Sequence, residues 1–162
     1  MQRVCWGWRN MTPAPLLTHF CDLDVELAPA MEMGQGRAGK RRIIPIIGGR
    51  VSGRISGRIL NLGADWQTIL SDGSADIDTR YAFETDDGAL MEVINKGVRH
   101  GPPQVIAALA RGEDVDPQAY YMRTTARLET GDPNYEWVNR MIFIGKGERR
   151  AASVRISLFS VD

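Results

Sequence analysis

The sequence has few of the residues that build metal centres and disulfide frameworks. Among its 162 residues are two histidines, His19 and His100, and two cysteines, Cys5 and Cys21. Neither histidine has a Cys, His or carboxylate partner at a spacing typical of metal ligands, so we expect no metal site. Two cysteines do not form a disulfide framework, and we expect both to be reduced thiols in a cytoplasmic protein.

The sequence also lacks an excess of one charge and any long apolar run. Its 20 basic and 20 acidic residues give a formal net charge of +0. A dedicated nucleic-acid-binding protein normally has a basic excess on one face, so we expect no nucleic-acid partner despite the basic segment "GRAGKRR" at 36–42. The longest apolar runs, such as "IIPII" at 43–47, are far too short to cross a bilayer, so we expect no membrane partner.

Catalytic and phosphate-binding motifs in their required structural context are absent. There is no GxSxG nucleophile elbow, and "GQGRAG" at 34–39, which has GxGxxG spacing, lies in a basic loop followed by a predicted strand instead of the helix that a dinucleotide-binding loop needs. The segment "GGRVSGRISGRIL" at 48–60 has two glycines at P-loop spacing, but Arg-Ile follows where a P-loop needs Lys and Ser or Thr. We therefore expect no nucleotide and no other cofactor, and we interpret residues 50–60 as one strand with its arginines along one face.

Alternating apolar and polar residues, together with turn signals, predict a protein built of strands. Asp-Gly turns at 72–73 and 87–88 separate alternating segments, which is a typical hairpin signal. A single helix is predicted over 103–114, where Pro103 stands near the start and Gly112 near the end. The predicted strands are 16–28, 43–47, 50–60, 66–70, 75–85, 89–97, 119–130, 139–147 and 152–161.

The order of these elements predicts the fold class and the domain organisation. Strands that do not alternate with helices favour an all-β fold, an antiparallel up-and-down β-barrel of about eight strands with one short helix, or a barrel-like sandwich. The proline within "IIPII" indicates a sheet edge or a bulge. Residues 1–14 have no apolar segment typical of a signal peptide, and we expect a flexible leader there. Residues 15–162 would then form a single β-barrel domain.

Two predicted strands carry a polar row along one face. A row this polar is either exposed as ladder pairs between strands or lines a wet barrel interior, and a register error of one residue would exchange the two faces. In an interior row, a carboxylate beside an arginine would stay ionised, and a second carboxylate in an apolar pocket could serve as acid or base. The rows are Asp76, Asp78, Arg80, Ala82 and Glu84, and Tyr121, Arg123, Thr125, Arg127 and Glu129.

The segment "GADW" at 63–66 places a carboxylate next to an indole at the start of a predicted strand. Asp65 and Trp66 could face a ligand at the mouth of a barrel. Alternatively, Asp65 caps a turn and Trp66 fills the core. The sequence leaves both interpretations open.

An ordered set of these motifs resembles a known family. The motifs lie in "GGRVSGRISGRILNLGADWQTILSDGSADIDTRYAFETDDGALMEVINKG" at 48–97 and "YYMRTTARLETGDPNYEWVNRMIFIGKG" at 120–147. Over roughly residues 16–161 the chain resembles family 3237 of domains of unknown function, also called uncharacterised protein family 0311. The resemblance implies a small antiparallel β-barrel that encloses a cavity and associates into oligomers, and it implies no particular activity.

The resemblance also singles out individual positions. The family pattern is matched at Asp78, Arg80 and Tyr81, at Arg123 and Glu129, and at Tyr135, Trp137 and Asn139. The chain departs from it at Leu62, where the family favours glycine, and at Leu128, where the family commonly has phenylalanine. The second departure bears on ligand choice if Leu128 lines the cavity.

Three hypotheses follow for the function, and the first is catalytic. It is a cofactor-free isomerase, lyase or cyclase that acts on a small, partly apolar carbonyl compound. The general base would be Asp65 or Glu129, and Arg80 or Arg123 would stabilise a developing enolate or bind a carboxylate. Aromatic and polar side chains would complete the ligand-binding site, namely Trp66, Asp78, Tyr81, Tyr135, Trp137 and Asn139.

The other two hypotheses need no catalysis. The second is a barrel that binds a small molecule through the same cavity, and the third is an interaction module whose face of Arg50, Arg54 and Arg58 docks onto a partner. A catalytic cavity should contain a carboxylate that faces both an apolar wall and the ligand. A carrier should be almost entirely apolar inside, and a docking module should have a filled barrel. We expect a small-molecule ligand and a homo-oligomer.

Overall fold

The computed structural model describes residues 12–162, so residues 1–11 of the predicted leader, including Cys5, lie outside the described range. Within this range the chain forms nine strands, one α-helix and two short 3-10 helices. The strands are β1 (Leu17–Leu27), β2 (Met31–Gln35), β3 (Lys40–Gly53), β4 (Gly57–Ile69), β5 (Ala75–Thr85), β6 (Leu90–His100), β7 (Tyr121–Glu129), β8 (Phe143–Arg149) and β9 (Ser153–Val161). The helices are α1 (Pro103–Ala110) and 3-10 turns at Pro117–Ala119 and Glu136–Arg140.

The strands close into an antiparallel barrel. Their order in the sheet is β1-β9-β8-β7-β6-β5-β4-β3-β2, and an additional pairing of β1 with β3 closes the ring. The barrel proper therefore has eight strands, while β2 extends the sheet beside the first residues of β3. Closure leaves few unpaired strand edges, which stabilises an all-β domain. The predicted fold class is confirmed.

Pro45 marks the point where β3 changes neighbours. β2 pairs with β3 as far as Ile43, and β1 pairs with it from Ile46 onward. Proline has no N–H to donate, so it fits the gap between these two partners. The carbonyl of Pro45 accepts a hydrogen bond from the amide of Ala28 at 3.0 Å. The register of β3 against β4 shifts between Pro45 and Arg50, which agrees with a bulge, one of the two alternatives that the proline indicated.

The segment 50–60 is a hairpin, and the prediction of one continuous strand there was wrong. β3 ends at Gly53 and β4 begins at Gly57. Gly53 has a φ of +135°, and a Cβ at this position would lie 2.7 Å from the carbonyl oxygen of Phe20. The two glycines therefore let the chain reverse against neighbouring strands, which an alternation pattern does not reveal.

The hairpin also brings two of its arginines opposite each other. Arg50 pairs in register with Arg58. Each has a carboxylate partner, because Arg50 Nη2 lies 3.4 Å from Asp86 and Arg58 Nη2 donates to Glu84 at 2.6 Å. These exposed ion pairs offset the repulsion between like charges on adjacent strands.

The two ends of the barrel interior differ in polarity. At the end near the hairpin, large apolar side chains fill the lumen, including Phe20, Phe83, Met91, Leu128 and Phe143. Towards the other end the inward-facing residues of the same strands become polar, and Asp65, Gln67, Thr79, Asn95, Arg99 and Thr124 are all buried. The polar end contains the candidate site.

Helix α1 follows β6 at the polar end of the barrel. It begins at Pro103, as predicted, buries Leu109 and ends at Ala110, before Gly112 with a φ of +76°, so it is shorter than the predicted 103–114. Across residues 12–162, no helix combines the length and apolar character needed to cross a membrane.

Candidate functional site

The polar rows of β5 and β7 lie on the outside of the barrel. In β5 the side chains of Ile77, Thr79 and Tyr81 are buried, whereas Asp78 and Arg80 between them are exposed. Arg80 forms an ion pair with Glu92 on β6, and Lys96 lies 3.4 Å from Asp78. These are the ladder pairs that one of our two interpretations anticipated.

The β7 row has the same orientation. Glu129 is exposed, and Arg123 is half-buried. Arg123 Nη1 donates to the carbonyl of Met122 at 2.9 Å, and its guanidinium lies 5.0 Å from the ring centre of Tyr121. Arg80, Arg123, Asp78 and Glu129 therefore lie on the outer surface and do not meet in the lumen.

Asp65 is the predicted catalytic residue that does face the lumen. It lies on β4 and is 8% exposed. Its carboxylate accepts hydrogen bonds from Gln67 Nε2 and from the amide of Asp78, the latter at 3.2 Å. Gln67 Oε1 in turn accepts from Arg42 Nε at 2.9 Å and from Arg42 Nη2 at 2.7 Å. An arginine, an amide and a carboxylate thus form one hydrogen-bonded chain.

The surroundings of Asp65 favour its protonated form. Burial raises the pKa of this carboxyl. Hydrogen bonds from Gln67, Thr79 and the amide of Asp78, and the positive charge of Arg99, act in the opposite direction without cancelling the effect of burial. A carboxyl with a raised pKa is suited to giving and taking protons near neutral pH.

Three polar atoms near Asp65 have no hydrogen-bond partner within residues 12–162. They are Tyr81 Oη, Asn95 Oδ1 and Thr124 Oγ1, on side chains that are 3–4% exposed. All three residues, with Asp65 and Gln67, line a lumen cavity of about 30 Å³. Buried polar groups normally have a partner, and a polar group or a water molecule in this cavity would supply one.

A larger pocket of about 320 Å³ lies at the mouth of the barrel, beside the lumen cavity. Leu27, Ile44 and Arg149 line both spaces. The end of α1 contributes Leu109 and Ala110 to the wall of the mouth. The mouth and the lumen cavity therefore adjoin each other, and we call the two spaces together the funnel.

Three arginines, Arg42, Arg99 and Arg149, line the mouth. Burial, followed by the charges of Arg42 and Arg149, lowers the pKa of Arg99 to about 10. Burial and the charge of Arg42 lower the pKa of Arg149 as well. Within residues 12–162, none of the three forms an ion pair with a carboxylate.

The remaining predicted ligand-binding residues do not line this funnel. Trp66 is 45% exposed on the outside of β4. Tyr135 donates its hydroxyl proton to Asp87 at 2.9 Å. Trp137 packs edge-on against Phe20, with ring centres 5.8 Å apart.

Asn139 holds the end of β7. Its Oδ1 accepts a hydrogen bond from the amide of Thr130, and its Nδ2 donates one to the carbonyl of Thr130, both at 2.9 Å. Leu128, where the chain departs from the family pattern, is buried in the apolar end of the barrel rather than in the cavity wall. Of the predicted site residues, the structure brings Asp65 and Tyr81 together in the lumen.

The sequence analysis missed the residues that surround this pair. Asn95 and Arg99 continue the inward-facing alternation of Met91 and Val93 on β6, and Asn95 already lay within the predicted strand 89–97. Extending that strand to His100 would have placed Arg99 on the same inner face. Arg42 and Arg149 have no comparable signal, because neither lies in a clear run of alternating apolar and polar residues.

A closed antiparallel barrel with a polar pocket at one end defines the class, a small β-barrel protein. The chain belongs to DUF3237, described as a protein of unknown function, whose family model matches residues 15–161. This confirms the family that the motifs indicated.

Relatives cover nearly the whole chain. A UPF0311 protein of Bradyrhizobium diazoefficiens is 42% identical over 151 residues, which are 93% of this chain and 99% of the relative. A crystal structure of a conserved protein of unknown function from Rhodopseudomonas palustris is similar with a TM-score of 0.89 at 42% identity, covering 94% of this chain and 100% of that one.

Two further solved structures extend the comparison. A β-barrel-like protein from Acinetobacter baumannii gives a TM-score of 0.82 at 44% identity, covering 95% of this chain and 99% of that one. An enzyme from Penicillium herquei gives a TM-score of 0.71 at 17% identity, covering 94% of this chain and 98% of that one. The last likeness shows a shared fold.

Proposed function

We propose that this barrel binds a small carbonyl compound and acts on it as a cofactor-free acid–base enzyme, an isomerase, lyase or cyclase, with Asp65 as the base. The observation that supports this most is the position of Asp65. Its pKa is raised by burial, and it lines the same small cavity as three buried polar atoms that have no partner among the described residues. Two of these atoms, Tyr81 Oη and Thr124 Oγ1, are hydroxyl oxygens, and a carboxyl of this kind beside hydroxyl donors is a common arrangement for proton abstraction next to a carbonyl.

The proposed chemistry needs only proton transfers. Asp65 takes a proton from the carbon next to the carbonyl, and the electron pair of that C–H bond moves to form an enolate. The hydroxyl groups of Tyr81 and Thr124 donate hydrogen bonds to the enolate oxygen. In an isomerisation, the protonated Asp65 returns the proton to a different carbon, so no oxidant or reductant is required.

The sizes of the two spaces suggest how a substrate would lie. A cavity of about 30 Å³ accepts a group the size of a carbonyl but not a whole substrate. The mouth, at about 320 Å³, has room for the rest of a small molecule. Apolar walls from Val25, Ile77 and Ile156 would exclude water from the reacting carbon.

The proposal assigns the base to Asp65 and not to Glu129. Glu129 is exposed on the outer surface, as are Arg80 and Asp78, and Arg123 also projects from that surface. None of these side chains lines the lumen cavity or the mouth.

Deuterium exchange tests the catalytic proposal whatever product the reaction forms. The protein is incubated in D₂O with a panel of small ketones and oxo acids, and NMR follows the loss of the proton next to the carbonyl. We expect Asp65→Asn to slow exchange by about 10²–10⁴-fold, the usual contribution of a general base. Asp78→Asn, which changes an outward-facing carboxylate nearby, should leave the rate unchanged.

The pH dependence provides a second readout of the same experiment. Because burial raises the pKa of Asp65, the exchange rate should increase with pH, with a midpoint above the value of about 3.9 that is usual for aspartate. Undiminished exchange in Asp65→Asn would remove this residue from the base role.

A non-catalytic ligand-binding barrel is the second candidate. Most of the lumen wall is apolar, with Val25, Leu27, Ile44, Ile46 and Ile77 among its residues. A ligand that raises the melting temperature but undergoes no exchange in D₂O would favour this alternative.

The homo-oligomer and the cytoplasmic location stay predictions. Light scattering, which measures the molar mass in solution, checks the first of them.

The docking hypothesis has less support. Arg50 and Arg58 are paired with Asp86 and Glu84, and the guanidinium of Arg54 lies 4.6 Å from the ring centre of Trp137. These arginines therefore have partners within the protein.

A further inference from the structure

The mouth of the barrel combines features that the proposed chemistry does not use. We propose that Arg42, Arg99 and Arg149 form an anion subsite, which binds the carboxylate or phosphate group of a small substrate above the lumen cavity. This deepens the proposed function by naming a substrate class, a carbonyl compound with an oxyanion a few bonds away. The binding of the anion itself does not depend on catalysis by Asp65.

Arg99 is the central group of this subsite. Its side chain is 5% exposed, and its Nε has no hydrogen-bond partner within residues 12–162. An unpaired N–H on a buried guanidinium is unfavourable, because it has lost its hydration. The nearby carboxylate of Asp65 hydrogen-bonds Gln67 and the amide of Asp78 instead. An incoming anion would supply the missing partner.

Hydrogen bonds hold the two flanking arginines in place, and these bonds use only some of the N–H groups of each guanidinium. Arg42 uses Nε and Nη2 to hold Gln67, which leaves Nη1. Arg149 uses Nη1 to hold the carbonyls of Arg150 and Ser153, which leaves Nε and Nη2. Guanidinium groups held this way offer donors in a fixed geometry, which suits carboxylate and phosphate oxygens.

Positive charge is concentrated at the mouth of the barrel. The chain as a whole has a net charge of +0, yet three cations meet at one mouth with one buried carboxyl beneath them. The apolar wall from Leu27, Ile44 and Leu109 completes the pocket. A short apolar body with an anionic group at one end fits this combination of walls and charges.

Binding of two simple probes tests the subsite directly. Inorganic phosphate and propanoate are titrated into the full chain at constant ionic strength, with chloride as the balancing ion. Calorimetry gives the affinity, and ¹H–¹⁵N spectra of the arginine Nε–H groups identify the residues involved. We expect the Arg99 Nε–H signal to shift on saturation.

Substitutions then locate the binding. Arg99→Gln should weaken the binding of either probe by about tenfold or more, as expected for loss of a charged hydrogen-bonding partner. Arg149→Gln provides a second variant should Arg99→Gln fold poorly. Arg140→Gln is the matched control, because it removes the same charge from an exposed 3-10 turn at the other end of the barrel.

The outcomes separate this inference from the proposed function. Asp65→Asn should retain anion binding, which supports the subsite whatever that variant does to exchange. Anion binding by a wild-type protein that exchanges no proton of any compound in the panel would support the subsite and count against the enzyme. Equal binding to wild type, Arg99→Gln and Arg140→Gln would overturn the subsite, as would no binding of either probe. A preference for propanoate over phosphate, or the reverse, identifies which oxyanion the site accepts.

Discussion

Asp65 and Arg99 are buried ionisable residues on the same inner wall, and burial acts on both in the same sense. It raises the pKa of Asp65 and lowers that of Arg99, so in each case the neutral form is favoured. Arg99 is nevertheless charged at pH 7, beside two further arginines. Such an arrangement reduces stability, and proteins commonly retain such sites for function.

Arg99→Met should therefore raise the melting temperature at pH 7. A pKa lowered from the usual arginine range to about 10 corresponds to on the order of 3 kcal/mol of unfavourable free energy in the folded state. This contribution is fully present below pH 10 and fades as the pH rises through 10, so the advantage of the variant should be largest near neutral pH. Scanning calorimetry measures the shift, which should be several degrees.

Arg140→Met is the control, and it should leave the melting temperature nearly unchanged because the residue is exposed. A lower melting temperature for Arg99→Met than for wild type would show that Arg99 stabilises the fold. It would then be a structural residue and a poor candidate for anion binding.

The sequence only partly predicts which residues form the candidate site. Asp65 could be found because the segment "GADW" combines a carboxylate with a turn and a strand start. Its orientation could not, since Ala64 and Asp65 are both buried and break the alternation of β4. Arg42 and Arg149 carry no local signal, because only the closed barrel brings them to one mouth.

At the scale of elements, strands with regular alternation and Asp-Gly turns were predictable. β5 has the predicted bounds, Ala75–Thr85, because Asp-Gly turns stand on both sides of it. β2 was missed because all five of its residues are exposed and show no alternation of burial. The hairpin within 50–60 was missed because glycines stand where its strands end, and glycine has no side chain to define a face.

Gly57 tests this explanation of the hairpin. A Cβ at this position would lie 2.8 Å from the Cα of Thr85 on the neighbouring strand. Gly57→Ala should therefore destabilise the protein by about 1–3 kcal/mol, the usual effect of overpacking. Urea unfolding followed by far-UV circular dichroism measures the change. Gly131→Ala is the control, since no atom lies within 4 Å of the added Cβ, and a loss in Gly57→Ala no larger than in this control would contradict the steric explanation.

At the scale of the whole molecule, the barrel interior is apolar at one end and polar at the other. Large apolar side chains such as Phe20, Phe83 and Phe143 fill one end, while buried polar residues collect at the other. The fold class follows from local alternation and turns, so the sequence predicts it. The site depends on the register between strands far apart in the chain, and a shift of one residue would turn Asp65 outward. For this reason the outward-facing rows of β5 and β7 could not be told from a lumen wall.

Closure of the barrel makes a further prediction about Cys21. This residue lies on β1, the strand that pairs with both β3 and β9, opposite Gly53 on one side and Leu158 on the other. It is 1% exposed, and burial raises the pKa of its thiol to about 12. The reactive thiolate is therefore nearly absent at pH 8, and reaching the thiol requires the barrel to open.

In a Cys5→Ser variant, with Cys21 as the remaining thiol, we expect reaction with an aromatic disulfide reagent to begin at the urea concentration where circular dichroism reports unfolding. A Cys5→Ser/Cys21→Ser double variant gives the background, and rapid labelling of Cys21 without urea, with a native circular dichroism spectrum, would mean that β1 detaches without global unfolding.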